Sequence, residues 1–166
     1  MLSLFAYVLV VVGALCFAYL LGLLNGALYV PTDTTLVTVM LDAAALHPGD
    51  RLVDLGSGDG RLVIAAASRG IPAVGFEINP LLVWMSRRAI RRAGLTKLAR
   101  IEWKDFWSVD LSPYSVVMVF GISHIMRRLG RKLERELTPG SRVVCNLFQL
   151  PDWEGTKVNG VFVYRR

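Results

Sequence analysis

The stretch that most constrains the fold is "RLVDLGSGDGRLVIAAA", residues 51–67. A short apolar run stops at Asp54, three glycines follow at positions 56, 58 and 60, and an alanine-rich segment begins at once. The apolar run reads as a buried strand and the alanine-rich segment as a helix over 61–69. Bare glycine backbone between them is expected to let its N–H groups approach a ligand with no Cβ in the way. The helix turns its positive end toward the same spot.

Downstream the pattern keeps alternating. Residues 73–77 read as a strand and 80–93 as a helix, with Pro80 in its first turn and Gly94 beyond its end. Strands follow over 100–104 and 116–121, then a helix over 125–137 stopped by Pro139-Gly140, then a strand over 142–147. Short apolar runs at 157–158 and 161–164 flank Asn159-Gly160, the strongest short hairpin signal. A further helix is expected over 35–46, capped by Asp33 or Thr34 and ended by His47-Pro48-Gly49. The alternation predicts a Rossmann-like doubly wound α/β sheet of five parallel strands plus a C-terminal β-hairpin.

The other end of the chain is different in kind. From Leu2 to Leu24 there is no Asp, Glu, Lys or Arg. As a helix those residues would span roughly 34 Å, against a bilayer core of about 30 Å. The first three residues carry no base, which argues against a signal peptide. The expected organisation is a transmembrane anchor over 1–28 and a globular domain over 29–166. Residues 1–50 hold three acids and no base, whereas residues 51–166 hold all 19 Lys and Arg. That bias favours the cytoplasmic side of a membrane for the domain, or the matrix side in a mitochondrion. Cys16 and Cys145 have no metal-type or disulfide-type spacing, so neither a metal nor a disulfide framework is expected.

In such a sheet the ligand lies at the carboxyl ends of the strands, where strand order reverses. A dinucleotide loop has the spacing G-x-G-x-x-G. Here the spacing is G-x-G-x-G, with Asp54 just before the loop and Asp59 inside it. Two carboxylates would repel a pyrophosphate. S-adenosylmethionine, with a sulfonium and an ammonium, suits an acid-rich loop better. Glu77 ends the second strand, where a carboxylate accepts both ribose hydroxyl protons. Asp105, just past the third strand, is placed for an adenine amino group. The candidate cofactor contacts are Asp54, Gly56, Ser57, Gly58, Asp59, Gly60, Glu77, Ile78, Asp105 and Phe106. Each acid also has a plain alternative: a strand-end cap for Asp54, a helix-start charge for Glu77, a turn residue for Asp105. Trp103 and Trp107 flank Asp105 and read as core or adenine-edge packing.

With these residues in order, the chain resembles the class I, seven-β-strand methyltransferases: "VDLGSGDG" is similar to their first motif and "GFEIN" to their second. "YVPT" at 29–32, the continuation of the glycine loop into Arg61, and "FQLPDW" at 148–153 narrow the likeness. They resemble the small membrane-anchored protein lysine methyltransferases, whose mitochondrial members modify the ATP synthase c-subunit and the adenine nucleotide translocase. The resemblance implies S-adenosylmethionine as cofactor, a protein substrate in or at a membrane, and a bacterial or archaeal relative of those enzymes.

The acceptor site is expected after the fourth strand, at "VFGISHI". No Asn/Asp-Pro-Pro-aromatic motif stands there, which argues against planar nitrogens as acceptors. Phe120, Tyr29 and Phe148 are candidate walls of an acceptor channel, and His124 a candidate base. Two basic helix faces, Arg87, Arg88, Arg91 and Arg92, and Arg127, Arg128, Arg131 and Lys132, read as solvated surface or as contacts to anionic headgroups. Nucleic acid is not expected, because the basic runs lack interleaved aromatics. Two other functions stay open at this point: a small-molecule or lipid methyltransferase, and a non-catalytic assembly factor that keeps the fold.

Overall fold

The computed structural model describes residues 6–14, 33–121 and 123–166. Residues 6–14 are helical (α1) and exposed along their whole length. Among the described residues no helix is long and apolar enough to cross a membrane. The nine described residues of α1 account for about 14 Å of the expected anchor. The rest of 1–28, and Tyr29 with it, lies outside the described residues.

One seven-stranded sheet organises the remainder, in the order β3-β2-β1-β4-β5-β7-β6. Strands β1 (Leu52–Leu55), β2 (Ala73–Glu77), β3 (Ala99–Trp103), β4 (Val116–Phe120) and β5 (Arg142–Asn146) pair in parallel. The hairpin β6 (Gly155–Val158) and β7 (Val161–Arg165) closes the sheet, with β7 antiparallel to β5. Successive strand residues point to opposite faces. Leu52, Val116, Met118 and Val144 pack under α2 (Thr34–Ala43), α3 (Arg61–Ser68) and α4 (Pro80–Arg92). Val53, Val117, Val119 and Val143 pack under α5 (Ser123–Glu136) on the other face. The buried strands β1, β2 and β5 have no solvated face, which is why they read as near-continuous apolar runs.

Local sequence explains most boundaries. Asn79 caps α4, its side chain accepting from Leu81 N at 3.0 Å, and Pro80 opens the first turn. Helix α2 ends at Ala43, short of the expected 46, and the reason is a distant residue. Arg142 Nη1 donates to the carbonyls of Ala44 (2.9 Å) and Ala45, and Ala45 adopts φ +46°. Asp33 occupies the N-cap position of α2, but its side chain makes no capping bond. Arg142 also pairs with buried Asp50, which accepts from Ser115 Oγ and His47 N, both at 2.7 Å. This cluster fixes where β1 begins, at the edge opposite the glycine loop.

Candidate active site

Strand order reverses between β1 and β4, whose neighbours lie on opposite sides. The cleft outside their carboxyl ends is where such a sheet takes its ligand. Asp54 lies at this point and is buried. Burial, then the nearby charges of Glu77 and Asp59, push its carboxyl up to about 7. Among the described residues Asp54 forms no ion pair. A sulfonium or ammonium in the cleft would relieve the repulsion.

Glu77, also buried, ends β2. Its Oε2 accepts from Gly58 N at 2.9 Å and its Oε1 from Asn79 N at 2.8 Å. The carboxylate thus joins the glycine loop to the entrance of α4, and each oxygen keeps a second lone pair for a hydroxyl donor.

The loop differs from the sequence expectation in one respect. Its amides turn inward: Gly56 N and Ser57 N donate to Phe76 O at 3.0 Å, Gly58 N to Glu77, and Gly60 N to Ser57 O at 2.9 Å. A phosphate cradle needs such amides aimed outward. Here the loop offers room in place of donors. Gly56 has φ +83° and nothing within 4 Å of where a Cβ would stand. Ser57 Oγ is buried without a hydrogen-bond partner among the described residues. Open space, a buried hydroxyl and a cation-seeking Asp54 fit S-adenosylmethionine and disfavour a pyrophosphate.

Asp59, inside the loop, pairs with Arg61 at 2.5 Å from Nη2 and accepts from Arg61 N at 3.3 Å at the start of α3. Its charge also acts on Asp54, so it stands with Asp54 and Glu77 among the acids at the cleft. Asp105 accepts from Trp107 N at 3.0 Å and caps the 3-10 turn Phe106–Ser108, in which Phe106 is buried. Ile78 is half-buried beside them and accepts from Trp103 Nε1 at 2.9 Å. Trp103 itself is 62% exposed, so the core reading fails for it; β3 is an edge strand and its last residue faces solvent. Trp107 is half-buried under the Arg128 guanidinium, 4.0 Å from the ring centre.

On the other side of the switch point, Phe120 ends β4 and pairs in register with Asn146, the last residue of β5. Phe120 and Phe148 are half-buried; His124 is exposed in the first turn of α5. The strand order brings these three to one edge. Sequence reasoning passed over two neighbours. Asn146 is buried, and Leu147 holds φ +64° with 61% of its surface exposed, an unfavourable conformation for a large side chain. Nothing in "CNLFQ" announces that strain. The loop after β5 is held from behind: Leu150 N donates to Tyr164 Oη at 3.0 Å, and Trp153 stands edge-on to the Tyr164 ring.

The strand order, the reversed terminal hairpin and the two carboxylates at the switch point define a class I, S-adenosylmethionine-dependent methyltransferase domain. The model of the ANTKMT methyltransferase domain matches residues 54–157, and the chain belongs to that family. It is 43% identical over 132 residues to the human lysine N-methyltransferase named for the ATP synthase c-subunit, covering 80% of this chain and 56% of that protein. A protein-lysine N-methyltransferase of Saccharolobus islandicus is 39% identical, covering 78% of this chain and 82% of that one. The chain thus spans about half the length of the vertebrate relatives and most of the archaeal one. Among solved structures, an RNA methyltransferase of Salinibacter ruber bound to S-adenosyl-L-homocysteine superposes with a TM-score of 0.75. It is 36% identical, covering 82% of this chain and 92% of that chain.

Proposed function

We propose that this chain is an S-adenosylmethionine-dependent protein-lysine N-methyltransferase acting on a membrane-associated protein. The observation that carries the reading is the buried Asp54–Glu77 pair at the switch point, in a chain 39% identical to an archaeal protein-lysine methyltransferase along most of that protein. Relatives named for the ATP synthase c-subunit and for the adenine nucleotide translocase support a protein acceptor.

Bound S-adenosylmethionine supplies an activated methyl group on a cationic sulfur. Asp54 would hold the positive end of the donor, Glu77 the ribose hydroxyls, Ile78 and Phe106 the base, and Asp105 its amino group. In-line transfer then requires alignment and exclusion of water. Phe120 and Phe148 wall the acceptor channel. A lysine has a reference pKa near 10.4, and an apolar channel lowers it toward the neutral, nucleophilic amine. His124, at the start of α5, takes the departing proton directly or through water.

The uncharged stretch over 2–24 anchors the chain in a membrane, with the domain on the cytoplasmic side in a bacterium or archaeon, or on the matrix side in a mitochondrion. Anchoring raises the local concentration of a membrane-borne acceptor.

Incubating source membranes with methyl-labelled S-adenosylmethionine and the full chain tests this. Label on lysines of a membrane protein is the expected result. Label confined to the solvent-extractable lipid fraction, or to RNA, removes the lysine assignment. No transfer with intact cofactor binding supports an assembly role.

A further inference from the structure

Helix α4 reads PLLVWMSRRAIRR, with four arginines and no acid. Its outward stripe changes character along its length. Leu81, Trp84 and Met85 occupy the first turns and are 60%, 58% and 44% exposed. Arg88, Arg91 and Arg92 continue the same stripe at spacings of three and four. Arg88 lies over the Trp84 ring, 5.9 Å from its centre. Trp103 extends the apolar end: its indole N–H donates to Ile78 O, at the entrance to α4. Next to it Glu102 is neutralised by Arg100 and Lys104, at 3.1 and 2.9 Å. Two exposed tryptophans, a leucine and a methionine beside uncompensated arginines are not explained by the fold, since none of them packs in either core.

The second basic face behaves differently. On α5, Arg127 pairs with Asp152 at 2.8 Å, Arg128 covers Trp107, and Lys132 is buried against Glu136 at 2.7 Å. None of the α4 arginines forms an ion pair among the described residues. The two helices cover opposite faces of the sheet. Of these two helices, α4 joins positive charge without an ion pair among the described residues to exposed aromatic surface.

We propose that the first turns of α4 together with Trp103 form a docking face for an anionic lipid surface. Trp84 and Trp103 sit at headgroup depth with Leu81 and Met85 just below, and Arg88, Arg91 and Arg92 meet the headgroup charge. Tryptophan favours that interface, and a basic amphipathic helix is drawn to anionic lipid. Each arginine near such a surface adds to the attraction. Its position has a functional meaning. Trp103 pairs in register with Glu77, so the face borders the carboxyl edge of the sheet. Docking therefore turns the mouth of the cleft toward the membrane. The inference rests on the membrane placement proposed above and is independent of the acceptor being lysine.

The chain's four tryptophans are Trp84, Trp103, Trp107 and Trp153, so none lies in the uncharged N-terminal stretch. Their fluorescence reports the domain alone. The full chain, reconstituted into vesicles of phosphatidylglycerol brominated in the acyl chains near the headgroup, should lose about half its emission relative to unbrominated lipid, as tryptophans at headgroup depth would. The W84F/W103F variant should lose most of that quenching while floating with the vesicles as the wild type does. Replacing Arg88, Arg91 and Arg92 with Gln should weaken it, as should 0.5 M salt (roughly a 4 Å screening length). Undiminished quenching in W84F/W103F overturns the proposal, as does equal quenching in brominated phosphatidylcholine. A chain that floats with the vesicles but is not quenched is anchored without docking, which also overturns it. A chain that does not float removes the anchor itself.

Discussion

The Glu77 carboxylate reaches from the end of β2 to the Gly58 amide at 2.9 Å and holds the glycine loop against the second strand. Its other oxygen holds Asn79 N, the residue that caps α4. One side chain therefore sets the shape of the donor cleft and supplies acceptors to it. Glu77→Ala leaves two amides without their acceptor, at about 1–3 kcal/mol each where water cannot replace it. Calorimetric binding of S-adenosylmethionine should weaken at least about tenfold, roughly 1.4 kcal/mol, and thermal unfolding should shift down. Unchanged binding would remove Glu77 from the site.

Asp54 makes cofactor binding sensitive to pH. Its carboxyl is pushed up to about 7, mainly by burial, from an ordinary value of 3.8. Between those values the folded chain holds a proton that the unfolded chain has lost. Stability without ligand therefore falls as pH rises from about 4 to 7, then levels off. A cationic ligand selects the ionised form and releases the proton. Affinity should rise with pH up to about 7, by at most about tenfold per unit. Asp54→Asn should flatten this profile, and calorimetry in buffers of different ionisation enthalpy should show the proton release disappear.

Asp50 acts in the opposite sense. Burial alone would raise its carboxyl, but the His47 amide, the Ser115 hydroxyl and the Arg142 guanidinium together bring it below 3.8. Its contribution to stability is present above the unfolded value and is lost as pH falls through the folded one. Asp50→Asn should remove part of the acid-unfolding transition below about pH 5. It also leaves Arg142 buried without its partner, at about 3–5 kcal/mol. Denaturant titrations at pH 7 and at about pH 3 should show the gap between variant and wild type shrinking at the lower pH.

Gly60 has φ +79°, and a Cβ there would stand 2.8 Å from Ser86 Cβ on α4. Gly60→Ala should cost about 1–3 kcal/mol, and about 2–4 °C of melting temperature per kcal/mol. Adding Ser86→Gly should recover the steric part and leave the backbone part. No recovery in the double variant would place the strain elsewhere.

Phe148 tests the acceptor side. Phe148→Ala should lower kcat for lysine transfer by about tenfold or more, through loss of alignment and water exclusion, while affinity for S-adenosylmethionine stays within about twofold, roughly 0.4 kcal/mol. Parallel loss of both would move Phe148 to the donor side.

Where local pattern decides, the sequence was legible. β1 and β2 fall at the residues that apolar runs and turn residues mark, and Asn159-Gly160 announces the hairpin. Where a distant partner decides, it was not. Helix α2 stops early because Arg142, nearly a hundred residues away, takes the Ala44 and Ala45 carbonyls. The loop position of Asp59 is visible in the sequence, whereas its pairing with Arg61 depends on the turn geometry. Trp103 looked like core because tryptophan usually is; its exposure follows from β3 being the sheet edge, which only the strand order reveals. Leu147 adopts a left-handed backbone that no residue type in its neighbourhood foretells.

The reversal of strand order between β1 and β4 splits the molecule into two workshops. Everything assigned to the methyl donor hangs on β1, β2 and β3, and the described acceptor walls hang on β4 and β5, with Tyr164 of the final hairpin bracing them. Descent with modification can therefore recut one half and leave the other alone. Grafting the segment from β4 onward between relatives with different targets is the natural way to redirect such a catalyst.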